Sequence, residues 1–185
     1  MSAIDRLVSN YSRQVCLPWS VKMAGKQRVW FAVYPPAEER RVRARLPQFE
    51  YLTHAANHGW TAVDLTRLLP EYLAAHKYRE SIFQNPQYLR AGSDLEFNAA
   101  ALVKDACSRE EADAGSVVTV TGLASLFDFM RVSSLVERVE DSVAGRLLIL
   151  FPGEYAGNTY RFMDARDGFN YLAVPITSTE SFINP

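Results

Sequence analysis

Two nearly continuous apolar runs constrain the fold of this chain more than any other feature of its sequence. They are QRVWFAVYPP, residues 27–36, and GRLLILFPG, residues 145–153, and each is bounded by proline or glycine. A strand with one face in water alternates apolar and polar residues, whereas a strand of a parallel sheet is covered on both faces and is apolar throughout. Both runs therefore predict strands inside a parallel sheet.

Segments with helical periodicity separate these runs from weaker strand candidates. Residues 2–15 begin with a Ser2–Asp5 capping box and predict an N-terminal helix. In the helical segment 37–59, Pro47 predicts a break near Leu46, because its ring removes a backbone hydrogen bond. About five strands are expected in total. The further ones are WTAVDL (60–65), predicted as a second buried strand, SVVTVTG (116–122) and NYLAVPI (170–176).

The alternation of strands and helices in 185 residues predicts a single α/β domain, residues 1–185, with a short polar tail at 177–185. The expected architecture is a three-layer sandwich in which helices cover both faces of a mostly parallel sheet. Ligands and partners of such sheets meet the loops beyond the carboxyl ends of the strands. Four segments are therefore expected to share one rim: residues 34–41, 64–67, 121–123 and 152–161.

Composition excludes several classes of protein. A hydrophobic content of 48% with 22% charged residues is that of an ordinary globular protein. No apolar run approaches the roughly 18–20 residues that span a bilayer, and the first residues resemble no signal peptide, so a cytoplasmic protein without membrane contact is expected. Cys16 and Cys107 lack partners at metal-ligand spacing and are predicted to be reduced, structural residues.

The charges of the chain are divided unequally along its length. Residues 1–92 contain 13 basic and 7 acidic side chains, whereas residues 93–185 contain 7 basic and 14 acidic ones. The formal net charge of −1 conceals this difference. Such a distribution favours oriented docking on a complementary partner over general attraction to nucleic acid.

The segment FPGEYAGNT, residues 151–159, is the nearest candidate for a phosphate-binding loop. A Walker A motif has four residues between its glycines and a lysine before the final Ser or Thr. Here three residues separate Gly153 from Gly157, and Asn158 occupies the lysine position. The sequence thus predicts a Rossmann-like or P-loop-like fold without a working Walker A motif. A regulatory domain that binds a nucleotide or phosphate ligand without turnover remains the alternative function.

The same segment also carries side chains typical of protein interfaces. Tyr155, Tyr160 and Arg161 are types that dominate interface energetics, and they lie on a predicted loop. Arg40 and Arg41 belong to the stretch EERRVRAR, residues 38–45. That stretch predicts a solvated or partner-facing helix, because the domain as a whole is not basic. Direct binding of nucleic acid is not expected.

No arrangement of residues in the sequence predicts catalysis. There is no nucleophile elbow of the G-x-S-x-G type and no recognisable set of Ser, His and Asp. His54 and His58 are four apart on a predicted helix, but Ala55 follows the first where a zinc protease has glutamate. We therefore predict a protein that is not an enzyme and has no metal site and no cofactor.

The order of these segments resembles the small BrxB proteins of bacterial BREX phage-defence systems along nearly the whole chain. The residues that carry the likeness include Trp30, Tyr34, Arg40, Asp64 and Gly122. Further matching positions, treated as interface candidates, are Arg131, Tyr155, Gly157 and Arg161. The matching segments are IDRLVSNYSRQVCLPW, QRVWFAVYPPAEERRVRARLPQFE, HGWTAVDLT, AAHKYRE, VVTVTGLASLFDFMRVSSLVE, LLILFPGEYAGNTYRFMD and NYLAVPI.

The resemblance implies a cytoplasmic accessory component of the defence system with no assigned catalytic activity. It also implies work beside the alkaline-phosphatase-like PglZ protein, the BREX adenine methyltransferase and a large ATPase. The expected function is therefore a protein-interaction or assembly factor that docks on another BREX subunit, with PglZ as the first candidate. The full set of interface candidates is Arg131, Tyr155, Gly157, Tyr160, Arg161, Arg40 and Arg41.

Overall fold

A mostly parallel sheet with helices on both faces organises the chain, as the sequence predicts. The computed structural model describes residues 2–20, 23–92, 94–166 and 168–179. In this part of the chain the strands are β1 (Val29–Tyr34), β2 (Gly59–Asp64), β3 (Ser116–Thr121), β4 (Arg146–Ala156), β5 (Thr159–Phe162) and β6 (Val174–Ile176). The helices are α1 (Ala3–Val15), α2 (Glu39–Ala44), α3 (Leu46–Ala55), α4 (Leu68–Ala75), α5 (Arg79–Gln84), α6 (Gln87–Gly92), α7 (Leu95–Cys107) and α8 (Val132–Val139).

The strands follow the order β2-β3-β4-β1-β6, and every pair along this path is parallel. Strand β5 lies off the path and pairs antiparallel with the last residues of β4. The two apolar runs predicted from the sequence become the neighbours β1 and β4, and Val29 pairs with Leu147 at the start of both. The predicted fold class is therefore confirmed.

Strands β1 and β4 contribute side chains to two hydrophobic cores, one on each face of the sheet. All six residues of β1 are buried, and so are the first eight of β4. Because side chains alternate across a strand, Phe31 enters the core beneath α4, α7 and α8, while its neighbour Trp30 enters the core beneath α1 and α3. Burial on both faces explains why the two segments are apolar without interruption.

Several local predictions are confirmed by the helices. Asp5 N–H donates to Ser2 Oγ at 3.1 Å and Ser2 N–H donates to Asp5 Oδ2 at 3.0 Å, which completes the predicted capping box of α1. Helices α2 and α3 are separated at Arg45, next to the break predicted near Leu46. Pro47 stands in the first turn of α3, where no intrahelical hydrogen bond is lost.

Other predictions are wrong. Strand β2 is an edge strand and only partly buried, because it has a single neighbour in the sheet. Cys16 is exposed just beyond α1, so it is not a core residue, whereas Cys107 is buried. Residues 180–185 of the predicted tail lie outside the described residues. The first part of the tail contacts α1, because Arg6 Nε donates to the Ser178 carbonyl at 2.8 Å.

A buried pair of hydroxyl groups joins α1 to α3. Tyr11 Oη lies 2.5 Å from Thr53 Oγ1, and Thr53 Oγ1 donates to the Phe49 carbonyl at 2.8 Å. Since the threonine hydrogen is already used, Tyr11 is the donor in the first bond. The Tyr11 ring also packs 4.8 Å from the Phe49 ring. The hydrogen bond and the ring contact hold the amphipathic N-terminal helix in its position on the sheet.

Replacing Tyr11 with phenylalanine should lower the free energy of unfolding by roughly 1 kcal/mol, because the change removes a buried hydrogen bond and keeps the ring. Urea denaturation at pH 7 measures the difference. Tyr51→Phe is the matched control, since Tyr51 is 69% exposed. Equal stability of the two variants would show that the Tyr11–Thr53 hydrogen bond contributes nothing to the fold.

Candidate interaction surface at the carboxyl ends of the strands

The parallel strands bring the predicted rim segments to one edge of the sheet. Strands β1, β2 and β3 end there at Tyr34, Asp64 and Thr121. From β1 the chain turns to α2, which contributes to the core on one face, whereas from β4 it turns to β5, which contributes to the core on the other. Neighbouring strands whose connections leave to opposite faces mark a topological switch point. The chain thus belongs to the class of doubly wound α/β proteins.

A closed hydrogen-bonded cluster surrounds Asp64 at this rim. Thr66 donates to Asp64 Oδ1 from its backbone N–H at 2.9 Å and from its hydroxyl at 2.5 Å. Arg43 Nη2 donates to Asp64 Oδ2 at 2.9 Å, and Arg43 Nη1 donates to Thr66 Oγ1 at 2.8 Å. The sequence did not single out Arg43 for this contact, because it is 21 positions from Asp64. The cluster fixes α2 to the loop after β2.

These contacts also shift the pKa of Asp64. Partial burial raises the pKa, but the hydrogen bonds from Thr66 and the positive charge of Arg43 outweigh burial and hold it below its usual value of 3.8. Asp64 is therefore ionised at neutral pH and already accepts hydrogen bonds on both oxygens. A carboxylate held in this way is poorly suited to take a proton from a substrate.

Gly122 allows the next loop to approach this cluster. It has a φ of 80°, and a Cβ at this position would lie 2.5 Å from Thr66 N and 2.6 Å from Asp64 Oδ1. Both the backbone conformation and the lack of space exclude a larger residue. Because residue 122 is glycine, the loops after β2 and β3 can pack directly against each other.

The segment predicted as a loop after β4 forms a β-hairpin. Strand β4 continues to Ala156 and pairs with β5, with Gly153 opposite Phe162 and Tyr155 opposite Tyr160. Gly157 and Asn158 have φ values of 56° and 63°, as a two-residue type I′ turn requires. The prediction of a loop is wrong here, although a Gly-Asn pair between two tyrosine-bearing segments was an available hairpin signal. An extended, paired strand also does not curl its successive amide groups around one anion, as a phosphate loop does.

The pairing assigns each hairpin candidate to a face. Tyr155 and Tyr160 lie opposite each other and share the inner face, and their ring centres are 4.6 Å apart. Arg161 lies on the outer face, where Nη1 is 3.8 Å from Glu154 Oε2. Gly157 is exposed at the tip. The sequence prediction placed these residues on one loop but could not assign their sides.

Tyr160 is a core residue and offers no surface to a partner, so its prediction as an interface residue needs correction. Its exposed fraction is 0%, and its ring is 4.6 Å from that of Phe31 and 5.8 Å from that of Phe169. Its hydroxyl donates to the Ala173 carbonyl at 3.0 Å. The alternation of the hairpin strand directs this side chain inward, and it anchors the hairpin to the core.

The remaining candidates are exposed arginines that follow other strand ends. Arg40 and Arg41 lie on α2 beyond β1, and Arg41 Nη1 is 3.1 Å from Glu38 Oε1. Arg131 caps α8, beyond the short 3-10 helix Leu123–Leu126 that follows β3. That 3-10 helix and the one at Pro36–Glu38 both contact β4. The base of the hairpin therefore lies between the segments that lead to these arginines.

The histidines predicted to share one helix are on different elements. His54 lies on α3, whereas His58 follows the end of that helix. His58 Nδ1 is 3.0 Å from the Gly115 carbonyl oxygen, and His54 Nδ1 is 3.1 Å from the His58 carbonyl oxygen. Over the described ranges, no group of three His, Cys, Asp or Glu side chains is placed to hold a metal ion.

Two open cavities lie away from the rim. One, of about 320 Å³, is lined by aromatic and aliphatic side chains of α4, α5 and α6, among them Tyr72, Tyr78 and Tyr88. The other, of about 460 Å³, adjoins it around Lys77 and Arg79. Neither cavity reaches the strand ends at which a doubly wound sheet binds its ligands.

Comparison with known proteins agrees with the resemblance seen in the sequence. A family model described as the BREX protein BrxB matches residues 61–176, which is more than half of the chain. The chain belongs to the BrxB family and is thus a component of a BREX system. No curated protein and no solved structure gave a significant match. Among the described residues, no helix has the length and apolar character that crossing a membrane requires.

Changing Gly122 to alanine should lower the free energy of unfolding by about 2 kcal/mol or more, because the new methyl group meets backbone and side-chain atoms and the φ is positive. Gly157→Ala is the matched control. Gly157 also has a positive φ, but a Cβ there meets nothing within 4 Å, so the expected loss is about 1 kcal/mol. Denaturant unfolding gives both values, and a Gly122 variant as stable as the Gly157 variant contradicts the close packing of the rim.

Changing Asp64 to asparagine should lower the free energy of unfolding by roughly 1 kcal/mol at pH 7, because a charged acceptor of three hydrogen bonds becomes neutral. The pKa of Asp64 is lower in the folded protein than in the unfolded chain, so its contribution is complete above the unfolded pKa and is lost as the pH falls through the folded pKa. The difference in unfolding free energy between the two proteins should thus begin to narrow as the pH falls towards 3.8 and continue to narrow below it.

Unfolding curves collected across this pH range measure the gap. Asp105→Asn serves as the control, because the ion pair of Asp105 with Arg109 is exposed. A difference between wild type and Asp64→Asn that does not change with pH is inconsistent with a depressed pKa.

Proposed function

We propose that this chain is a non-catalytic interaction component of a BREX system that docks on another BREX subunit, the alkaline-phosphatase-like PglZ, through its β4–β5 hairpin. The observation that supports this proposal is the hairpin, which extends the central strand β4 past the sheet and presents Arg161 on its outer face. The BREX methyltransferase and the large ATPase are the alternative partners. A cytoplasmic location follows from this role.

The hairpin is preorganised for binding. Tyr160 is buried at one end of β5 and Phe162 is 8% exposed, so two inward side chains fix the strand to the core. The turn is fixed as well, because Tyr155 Oη donates to Asn158 Oδ1 at 3.0 Å across its base. A segment that is already ordered loses little conformational entropy on docking, and more of its contact energy remains as affinity.

The charges around the hairpin favour an acidic partner surface. Among the described residues, Arg161 forms an ion pair with Glu154 at the long distance of 3.8 Å with both side chains largely exposed, which is a weak pair. Arg40, Arg41 and Arg131 are exposed on the segments that flank β4. Complementary charges of this kind set the orientation and rate of docking more than its final strength.

The geometry of the rim supports a role without catalysis. Asp64 is held by Thr66 and Arg43 and faces Gly122 across a closed contact, and Glu39 accepts a hydrogen bond from the Tyr34 hydroxyl at 2.6 Å. The segment that most resembles a phosphate loop is an extended hairpin and does not curl around an anion. These features favour an interaction component over a domain that binds a nucleotide or phosphate at the strand ends.

The double variant Tyr155→Ala, Arg161→Ala should weaken binding to purified PglZ by about 2 kcal/mol, roughly 30-fold in Kd, because it removes an aromatic and an arginine from the proposed contact. Size-exclusion chromatography of the mixed proteins tests complex formation, and calorimetric titration gives the affinity. Because Tyr155 packs against Tyr160 on the inner face, the double variant is also expected to destabilise the hairpin. Arg161→Ala alone, whose side chain is on the outer face, is therefore measured in parallel and should lose affinity with an unchanged melting temperature.

Tyr51→Ala, Arg109→Ala is the matched control, because both residues are exposed on other elements and the same side-chain types are lost. If both double variants lost the same affinity for PglZ, the loss would not be specific to the hairpin. Separate elution of the wild-type protein and PglZ at about 10 μM, above the micromolar Kd of transient complexes, contradicts PglZ as the partner. Complex formation with unchanged affinity of the hairpin variant places the interface elsewhere.

A further inference from the structure

At the end of the strands opposite the rim, an arginine is buried with uncharged hydrogen-bond acceptors. Arg146, the first residue of β4, is 4% exposed. Its Nη1 donates to the Gly145 carbonyl at 3.0 Å and its Nη2 donates to Met23 Sδ at 3.2 Å. The first acceptor belongs to the preceding residue and the second is a thioether, which accepts weakly. No carboxylate in the described part of the chain forms an ion pair with Arg146.

A second cation stands next to this one. Arg28 precedes Val29, which pairs with Leu147, so Arg28 and Arg146 begin neighbouring parallel strands side by side. Arg28 is half-buried, and its Nη1 donates to the Val143 carbonyl at 2.8 Å. Burial lowers the pKa of Arg146, and the positive charge of Arg28 lowers it further. Two like charges thus share a region that is partly withdrawn from water.

A third hydrogen-bond donor lies in the same cluster. The Arg146 guanidinium is 4.7 Å from the ring centre of Trp19 and 5.9 Å from that of Trp30. Trp19 Nε1 is buried and has no hydrogen-bond partner among the described residues. The ring of His58 stacks on Trp19 at 3.6 Å, with the planes 2° apart. The indole is therefore fixed in place with its N–H unpaired.

The two indole rings stabilise the charge of Arg146, but a ring face accepts no conventional hydrogen bond. A guanidinium carries five N–H donors, of which Arg146 uses two within the described part of the chain, one on a backbone carbonyl and one on a weakly accepting thioether. The cluster thus combines excess positive charge with excess donors, and a buried polar group without a partner is costly. An oxyanion supplies negative charge and several acceptors at once, and its geometry matches the guanidinium fork.

We propose that Arg146, Arg28 and Trp19 form a binding site for an oxyanion, such as a phosphate or carboxylate group. The oxyanion replaces the Met23 sulfur as the acceptor of the Arg146 Nη2 hydrogen and neutralises the arginine pair. Trp19, Met23 and Arg28 are each partly exposed, so the cluster is reached from the surface. It lies at the opposite end of β4 from the hairpin and does not depend on the proposed docking function.

Thermal unfolding of the whole protein tests this site. Sodium phosphate and sodium acetate, each at up to about 50 mM, are compared with sodium chloride at the same ionic strength. We expect a rise in Tm of about 2 °C or more over chloride in at least one of the two salts. A rise in phosphate alone indicates a phosphate site, and a rise in acetate alone indicates a carboxylate site. A saturable change in tryptophan fluorescence should accompany it.

Three variants separate binding from the general stabilisation that phosphate gives to folded proteins. Arg146→Met keeps the length of the apolar stem and should lose the specific rise, and Arg28→Gln should reduce it at least threefold. Arg41→Gln, at an exposed arginine on α2, should retain it. Arg28→Gln also protects the test against a failure of Arg146→Met to fold, because Arg28 is only half-buried. No rise over chloride in either salt, or an equal rise in wild type and Arg28→Gln, overturns the proposal.

Discussion

The parallel pairing of β1 with β4 is the constraint on which the rest of the structure depends. Each strand is buried on both faces, so its backbone groups must find partners within the sheet and its side chains must enter two separate cores. Helices must then cover both faces, so the loops that join helices and strands meet at the two ends of the strands. The candidate surfaces of this protein are at those two ends for that reason.

Much of the architecture can be predicted from local signals in the sequence. Apolar runs identify β1 and β4, the Ser2–Asp5 box identifies α1, and Pro47 marks the division of α2 from α3. Each signal reflects a requirement met within a few residues. The edge position of β2 could not be predicted, because WTAVDL has the composition of a buried strand and its exposure depends on how many neighbours it receives in the sheet.

The candidate site was less accessible to prediction, since its contacts join distant positions. The sequence places Tyr155, Tyr160 and Arg161 together, but only strand pairing shows that Tyr160 is core and Arg161 is outside. Arg43 forms an ion pair with Asp64 across the rim, whereas Arg146 forms no ion pair with a carboxylate among the described residues. Composition cannot distinguish two such arginines. Their difference arises from the register of the strands that carry or adjoin them.

The continuity of β4 has a mechanical consequence. This single strand begins at Arg146 and ends at Ala156 beside the hairpin turn, a span of at most about 35 Å. Because its first eight residues are packed on both sides, the strand is held rigid, and the distance and angle between its two ends are fixed. Two partners bound at the two ends of β4 would therefore be held at a fixed distance from each other, set by the length of this strand.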